Sequence, residues 1–401
     1  MTASPAARPD AIRRHNLALI LGHVHRDGAL TRAELTQRLG VSRSTIGVLV
    51  ADLIELGLVE ELVPSGGDRV GRPSHVVGPH PRGPYVIAVD VTVTHLAAAA
   101  VGLGGRILAR GTVALGSEPP SAAATADMIV DAAHELQRSA ARKRAAIGLG
   151  VSVPGTVDHG TRTVGVAPNL GWRDAPLGAL LAERIGATMP IAIGNDADLS
   201  VLAELRRGNA RGFNDVVYLI GRTGVGAGVI ANGAPVRGRY GRAGEVGHNV
   251  VDKHGPPCHC GKNGCLETFI GDAALLALAG RKVEPTEQHV AEVFAAARGG
   301  DEAALTAIRT MAGSVGQAIG NLVNTLNPQR VILGGSLSGV LELARPEVER
   351  ALGQYAFDAG HPVELCPPHF GVDSALLGAA ELALSDLFAT PLSDGTRYHP
   401  S

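Results

Sequence analysis

Apolar positions in the first eighty residues follow a helical rhythm. Ile12, Leu17, Ile20, Leu21 and Val24 recur near the spacing of one helix face and stop before Gly28, which predicts a first helix over residues 12–25. Thr31 followed three residues later by Glu34 has the form of a capping box, so a second helix starts there. It turns Leu35 and Leu39 inward and stops at Gly40. Ser42 caps a third helix, with Ile46, Leu49, Val50, Leu53 and Leu56 facing a core and Gly57 at its end. Residues 58–63 and 74–77 read as short strands around a Gly-rich tip. Two helices joined by a tight Gly-Val-Ser turn and followed by a hairpin predict a winged helix-turn-helix.

A Pro/Gly-rich passage from Pro64 to Pro84 separates this segment from a different pattern. Residues 85–90 form an apolar run ending in an acid, and 92–101 and 106–113 pair around Gly104-Gly105. A helix over 122–138, a buried strand over 146–151, a helix over 177–184, a strand over 191–193 and a helix over 197–207 follow. The rhythm then repeats, with a hairpin of 216–220 and 225–230, a long helix over 305–326, a strand over 330–333 and a helix over 376–387. Strand hairpins followed by helix–strand units, occurring twice, predict an α/β protein of two related lobes. The expected division is 1–80 for the winged helix, wing and linker, 81–200 with a returning helix near 376–390 for the first lobe, and 201–375 for the second. The polar, turn-rich end from Ala389 is expected to be loose.

Composition narrows the functions open to such a chain. Of 401 residues, 45% are apolar and 18% charged, which excludes a disordered polymer and suffices for cores without covalent staples. The formal charge of −2 exerts no global pull on nucleic acid, so any DNA contact must come from a local basic surface. Such a surface exists. The first turn of the third helix offers Arg43, Ser44 and Thr45 to base edges in a major groove, with the small Gly47 permitting close approach. Arg69 and Arg72 lie in the hairpin tip, where Gly71-Arg72-Pro73 has the form of a strip that enters a minor groove. The competing reading is a helical hairpin used for packing or dimerisation. The apolar stretch over residues 96–105 is too short to span a bilayer, and no signal-peptide core precedes Asp10, so a cytoplasmic location away from membranes is expected.

Cysteine placement supplies the strongest chemical signal. Cys258, Cys260 and Cys265 fall within eight positions, while Cys366 stands alone. Three thiolates and an imidazole close a tetrahedral Zn2+ site, and four protein ligands leave no open position, so the expected role is structural. His248 is the candidate fourth ligand, with His254 and His259 as alternatives. A cluster of free cysteines is the bland counterpart.

Several motifs in order resemble the ROK family, whose members are repressors, uncharacterised reading frames and sugar kinases. Gly244-Glu245-Val246-Gly247-His248 and the run from Cys258 to Glu267 match its sugar and zinc motifs. Val153-Pro154-Gly155-Thr156-Val157-Asp158 and Ala167-Pro168-Asn169-Leu170-Gly171-Trp172 match its first-lobe loops. Gly194-Asn195-Asp196-Ala197 is similar to the segment carrying a catalytic aspartate, and Val331-Ile332-Leu333-Gly334-Gly335 to the nucleotide-base motif. The resemblance spans about residues 11–388. It implies a two-lobed actin/hexokinase-like (ribonuclease H-like) ATPase fold, with a hexose-sized ligand between the lobes. It also implies that Asn195, Asp196, Glu245, His248 and Glu267 hydrogen-bond the sugar, with His248 also a metal ligand and Asp196 the general base of the kinases. Asp198 departs from the asparagine usual two positions after that aspartate.

The phosphate side departs further. The family's kinases carry an Asp-x-Gly-Gly-Thr turn, whereas this chain has Asp90-Val91-Thr92-Val93-Thr94, and Arg222 replaces a glycine in the second phosphate turn. Thr92 and Val93 bring β-carbons where amides would cradle phosphate, so kinase activity is expected to be lost and Asp196 to be a vestigial base; the second turn carries less weight, because Arg222 could itself bind phosphate. The expected protein is a sugar-responsive regulator, a repressor, of carbohydrate-utilisation genes. It would bind a palindromic double-stranded operator as a homodimer or dimer of dimers. A sugar kinase with an added DNA-binding head and a ligand-free zinc scaffold are the alternatives.

Overall fold

The computed structural model describes residues 9–62, 75–116, 118–140, 145–186, 189–357 and 362–391. Helices Pro9–Asp27, Arg32–Leu39 and Arg43–Glu55 open the chain. The capping box is formed, since Glu34 N–H donates to Thr31 Oγ1 at 3.1 Å and Thr31 N–H to Glu34 Oε2 at 2.7 Å. Gly40 ends the second helix at φ 66, where a side chain would be strained, and Ser42 Oγ accepts from Thr45 N–H at 3.2 Å. Strand Val76–Pro79 lies between Leu30–Thr31 and Val59–Leu62, both antiparallel to it. The wing thus has its two long strands, while the tip with Arg69 and Arg72 lies outside the described residues. Leu17, Ile20, Leu21, Val24, Leu35, Ile46, Leu49, Val50 and Leu53 are buried as the spacing predicts. Ile12 is 51% exposed, within a stretch from Asp10 to His15 that is exposed throughout. Leu39 and Leu56, at helix ends, are half-buried.

The body contains two five-stranded sheets of matching design. In the first, Ile191–Asn195, Leu149–Val153 and Tyr85–Val91 run parallel, and His95–Gly102 and Ile107–Ala114 extend the sheet as antiparallel hairpin strands. In the second, Ala234–Pro235, Val225–Ala231, Val216–Gly221, Arg330–Gly335 and Glu364–Cys366 follow in that order, the last three parallel. The pairing of long helices Glu302–Leu326 and Ser336–Tyr355 covers the second sheet, with an apolar core of Val217, Leu219, Val331 and Leu333 below Ile308, Val315, Leu337 and Val340.

Helix Asp196–Arg207 passes between the two sheets and meets helix Ser374–Ala383. Close approach is required on both sides. A Cβ on Gly378 would stand 1.8 Å from Leu199 O, and one on Gly228 would stand 2.2 Å from Ala197 O. The helix is therefore clamped by backbone on two faces.

The head is continuous with the first lobe. Leu17, Ile20, Leu21 and Val24 share one apolar cluster with Val86, Ala99, Val101, Leu103, Leu384 and Leu387. At its edge lies a buried polar node. His25 Nε2 is 3.0 and 3.1 Å from the two Glu381 oxygens, and Gly104 N–H donates to His25 Nδ1 at 2.9 Å. Because that amide can only donate, Nδ1 must accept, and the hydrogen assigned by this network sits on Nε2 facing the carboxylate. Arg207, the last residue of the clamped helix, donates from Nε to Glu381 Oε1 at 2.7 Å and from Nη1 to Gly104 O at 3.1 Å. Burial raises the Glu381 pKa, but His25 and Arg207 outweigh it and bring the carboxyl down to about 2. Asp27, at the end of the first head helix, pairs with Arg38 of the head and Arg211 of the body.

Candidate functional site

The zinc-motif loop supplies the first cluster. His248, Cys258, Cys260 and Cys265 place their ligand atoms within 4.8 Å of one another. Cys258 Sγ is 3.7 Å from His248 Nδ1, and Cys260 Sγ is 3.6 Å from Cys265 Sγ. A tetrahedron with Zn–S bonds of about 2.3 Å has edges of roughly 3.8 Å, so the donors fit a zinc ion by spacing and by chemistry. Gly261 at φ 87 and Gly264 at φ 70 make the turns between the thiols; a Cβ on Gly264 would stand 1.4 Å from Asp252 O. Among the described residues the cluster includes neither His254 nor His259. His254 N–H donates to Asp252 Oδ1 at 2.9 Å, and His259 borders the neighbouring cleft.

That cleft, of about 730 Å³, opens between the lobes. Asn195, Asp196, Glu245, His248 and Glu267 all line it, so the structure brings together every residue expected to contact a sugar. Their individual situations differ. Asn195 caps the helix that follows, its Oδ1 accepting from Ala197 N–H at 2.9 Å and Asp198 N–H at 3.1 Å, while Nδ2 donates to Gly155 O at 3.0 Å. Only its second Nδ2 hydrogen is left for a ligand. Asp196 borders the cleft but is enclosed by protein. Burial lifts its pKa to about 6, relieved by Arg222 and reinforced by Asp90. Glu245 is likewise raised to about 6, by burial first and then by Asp196 and Glu267. Asp198 lies beneath the cleft and is raised to about 7 by burial, against the pull of Arg237. Glu267 Oε2 accepts from Val225 N–H at 3.2 Å, and Oε1 lies 3.6 Å from Cys258 Sγ. The metal cluster and the cleft therefore share a wall, with His248 belonging to both.

The phosphate side has been rebuilt by side chains. Thr92 Oγ1 accepts from Thr94 N–H at 3.3 Å and His95 N–H at 3.0 Å, and donates to His95 O at 2.8 Å. The Thr94 and His95 amides of this turn are thus satisfied by a hydroxyl of the turn itself. Beyond the substituted glycines, two of the turn's donors are therefore already occupied. Arg222 reaches from the second lobe to the first, its Nη1 3.6 Å from Asp90 Oδ2. Asp90 Oδ1 in turn accepts from Ser152 Oγ at 2.6 Å.

On the head, Arg43, Ser44 and Thr45 are exposed in the first turn of helix Arg43–Glu55. Val48 shares that outer face and is 60% exposed, a residue that sequence reading passed over although the spacing of 44, 45 and 48 places all three outward. The buried node of His25, Glu381 and Arg207 was also unforeseen, since its members lie up to 356 positions apart.

A winged helix fused to a two-lobed, sugar-kinase-like body defines a class of DNA-binding transcription regulators. The chain belongs to the ROK family: residues 86–386 match the profile of that family, and residues 18–69 match that of the MarR family. It is 30% identical over 380 residues to the xylose repressor of Bacillus spizizenii, covering 93% of this chain and 96% of that protein. The ROK family glucokinase from Streptomyces griseus in complex with glucose and AMPPNP superposes with a TM-score of 0.65 at 30% identity, covering 75% of this chain and 99% of that one. A ROK family transcriptional regulator homologous to the E. coli MLC protein shares the fold over 94% of this chain and 97% of its own, with a TM-score of 0.76 at 23% identity.

Proposed function

We propose that the chain is a sugar-responsive repressor of carbohydrate-utilisation genes whose body senses a sugar without phosphorylating it. The observation that carries this reading is the division of the cleft, with the candidate hydroxyl-binding residues gathered on one side and, on the other, a turn whose Thr94 and His95 amides are bonded to Thr92 Oγ1. Asp196, Glu245, His248, Glu267 and the remaining Asn195 hydrogen bind the sugar, Asp196 as an acceptor and not as a working base. Carboxylates and amides at fixed positions discriminate epimers because a wrong hydroxyl leaves a buried group unpaired. Zn2+ on His248, Cys258, Cys260 and Cys265 would fix the loop and the imidazole, leaving the other ring nitrogen for the sugar. The near-full-length likeness to a xylose repressor makes D-xylose the first effector to try, and the glucose-bound Streptomyces griseus glucokinase makes D-glucose the second.

Arg43, Ser44, Thr45 and Val48 read the major groove, Val48 against a thymine methyl, and Arg69 and Arg72 of the wing enter the minor groove. The protein acts in the cytoplasm as a homodimer on a palindromic operator; no described helix is long and apolar enough to cross a membrane. The division that goes with this reading is residues 1–80 as head and wing, 81–200 and about 376–390 as the first lobe, and 201–375 as the second. Helix Asp196–Arg207 links the functions. Its first residue borders the sugar site, its last holds the head node, and 12 residues make a rod of about 18 Å. A sugar that binds one lobe arrangement better than the other shifts the head through this rod. The test is a mobility shift with DNA upstream of the chain's own gene, with and without each sugar. Arg43→Ala should weaken specific binding at least tenfold, corresponding to about 1.4 kcal/mol. Unchanged affinity would remove the head as the DNA reader.

A further inference from the structure

We infer that Arg222 is a positioning residue of the sugar site: a built-in counter-cation that bridges the lobes where a kinase holds nucleotide, so that the cleft binds an unphosphorylated sugar without nucleotide and disfavours its phosphate ester. This inference rests on the sugar-sensor reading above and specifies the ligand class of that same site.

Three observations converge. The first is position. Arg222 follows strand Val216–Gly221 of the second lobe, while its partner Asp90 lies on strand Tyr85–Val91 of the first, with Nη1 3.6 Å from Oδ2. The side chain is only 26% exposed and rises from a fixed backbone, since Arg222 N–H donates to Gly224 O at 2.8 Å and Arg222 O accepts from Asp272 N–H at 3.0 Å. Gly335, at φ 62, makes room for it: a Cβ there would lie 3.2 Å from Arg222 Cγ and 1.9 Å from Gly221 O.

The second is charge. Asp196, Glu245, Glu267, Asp272 and Glu287 line the cleft against Arg173, Arg222 and Arg242. Arg173 and Arg242 are exposed, so Arg222 is the enclosed cation on this wall, and Asp90 already faces it. Asp90 and Asp196 raise the Arg222 pKa against the effect of burial, and Arg222 lowers theirs in return. A neutral sugar leaves this balance intact. A phosphate dianion brings a second negative group into an acidic wall whose single enclosed guanidinium is already engaged.

The third is the turn opposite. Phosphate binding depends on free amides and cations aimed at the oxygens. Here Thr94 N–H and His95 N–H point to Thr92 Oγ1.

The test uses the full-length protein in calorimetry and thermal-shift assays. The probes are D-xylose, D-glucose and D-mannose, glucose 6-phosphate and mannose 6-phosphate, and Mg-AMPPNP, across pH 5.5–8 for wild type, Arg222→Gln and Arg222→Lys. Wild type should bind a free sugar with an affinity that Mg-AMPPNP changes less than twofold, and should bind neither hexose phosphate within a hundredfold of it. Arg222→Gln should bind that sugar at least tenfold more weakly at pH 7, with the midpoint of its pH profile moved upward, and Arg222→Lys should restore most of the loss. A purely structural role would not move the pH midpoint. Equal binding of a hexose phosphate by wild type overturns the inference without any variant, as does an unchanged sugar affinity and pH profile in a folded Arg222→Gln protein. If no probe binds wild type, the sugar-sensor reading itself fails and this inference falls with it.

Discussion

Individual side chains in this protein are set by what surrounds them more than by their type. Asp196 is an aspartate whose carboxyl titrates near 6 because burial opposes its charge, with Arg222 relieving and Asp90, Asp198 and Glu245 surrounding the strain. In the proposed site it would serve the sugar as an ionised acceptor above that value. As pH falls through about 6 it gains a proton and loses an acceptor, so sugar affinity should fall by roughly tenfold per unit below the midpoint. Calorimetry between pH 5 and 8 measures this, and a flat profile would remove Asp196 from the binding set. The candidate metal ligands would act as a unit. Cys258→Ser leaves two thiols and one imidazole, and zinc measured by mass spectrometry on the purified chain should drop from about one per chain to near zero, with a lower melting temperature.

At the scale of elements, helix Asp196–Arg207 is the part on which the others depend. Asn195 caps its start, Gly228 and Gly378 let it approach neighbours closely, and Arg207 ends it against Glu381. Buried ion pairs add little net stability when intact, but removal of one partner strands the other. Glu381→Gln should therefore cost about 3–5 kcal/mol, seen in denaturant unfolding, and should speed amide exchange in helix Pro9–Asp27 before it does so in the sheets. A change confined to the body would sever the head from the node. The sign of the pH effect follows from the lowered pKa. The Glu381 contribution is present in full above the unfolded carboxyl value near 4.5 and is lost as pH falls from there toward about 2.

The whole molecule combines a head that shares its core with the first lobe and a cleft that lies between lobes. The head is thus packed to move with the first lobe, which suits a sensor. Catalysis of phosphoryl transfer would need the amides that Thr92 occupies, and positioning supplies most of the acceleration in such reactions. A coupled assay for ADP release with D-xylose, D-glucose, D-mannose and N-acetylglucosamine should show no turnover above the no-enzyme rate. Sustained release with any of them would return the protein to the kinases.

Local signals carried much of this in the sequence. The capping box at Thr31, the Ser42 cap and the apolar spacing of Ile46 to Leu53 specify their helices because each acts within one or two turns of chain. The clustered cysteines announced a candidate metal centre for the same reason, and motif order pointed to Asn195, Asp196, Glu245, His248 and Glu267, which line one cleft. What only the tertiary structure decided are the pairings between distant positions. It selected His248 over His254 and His259, because the choice depends on which imidazole the folded loop brings within reach of three thiols. It joined His25 to Glu381 and Arg207, and Arg222 to Asp90, across separations that no periodicity encodes. It also left Ile12 in solvent although its spacing matches the buried face, since burial depends on whether another element arrives to cover it. Hydrogen-bonded turns and amphipathic faces are properties of neighbouring residues. Charge pairing and coverage are properties of the packed chain, where a low-dielectric interior fixes which groups must meet.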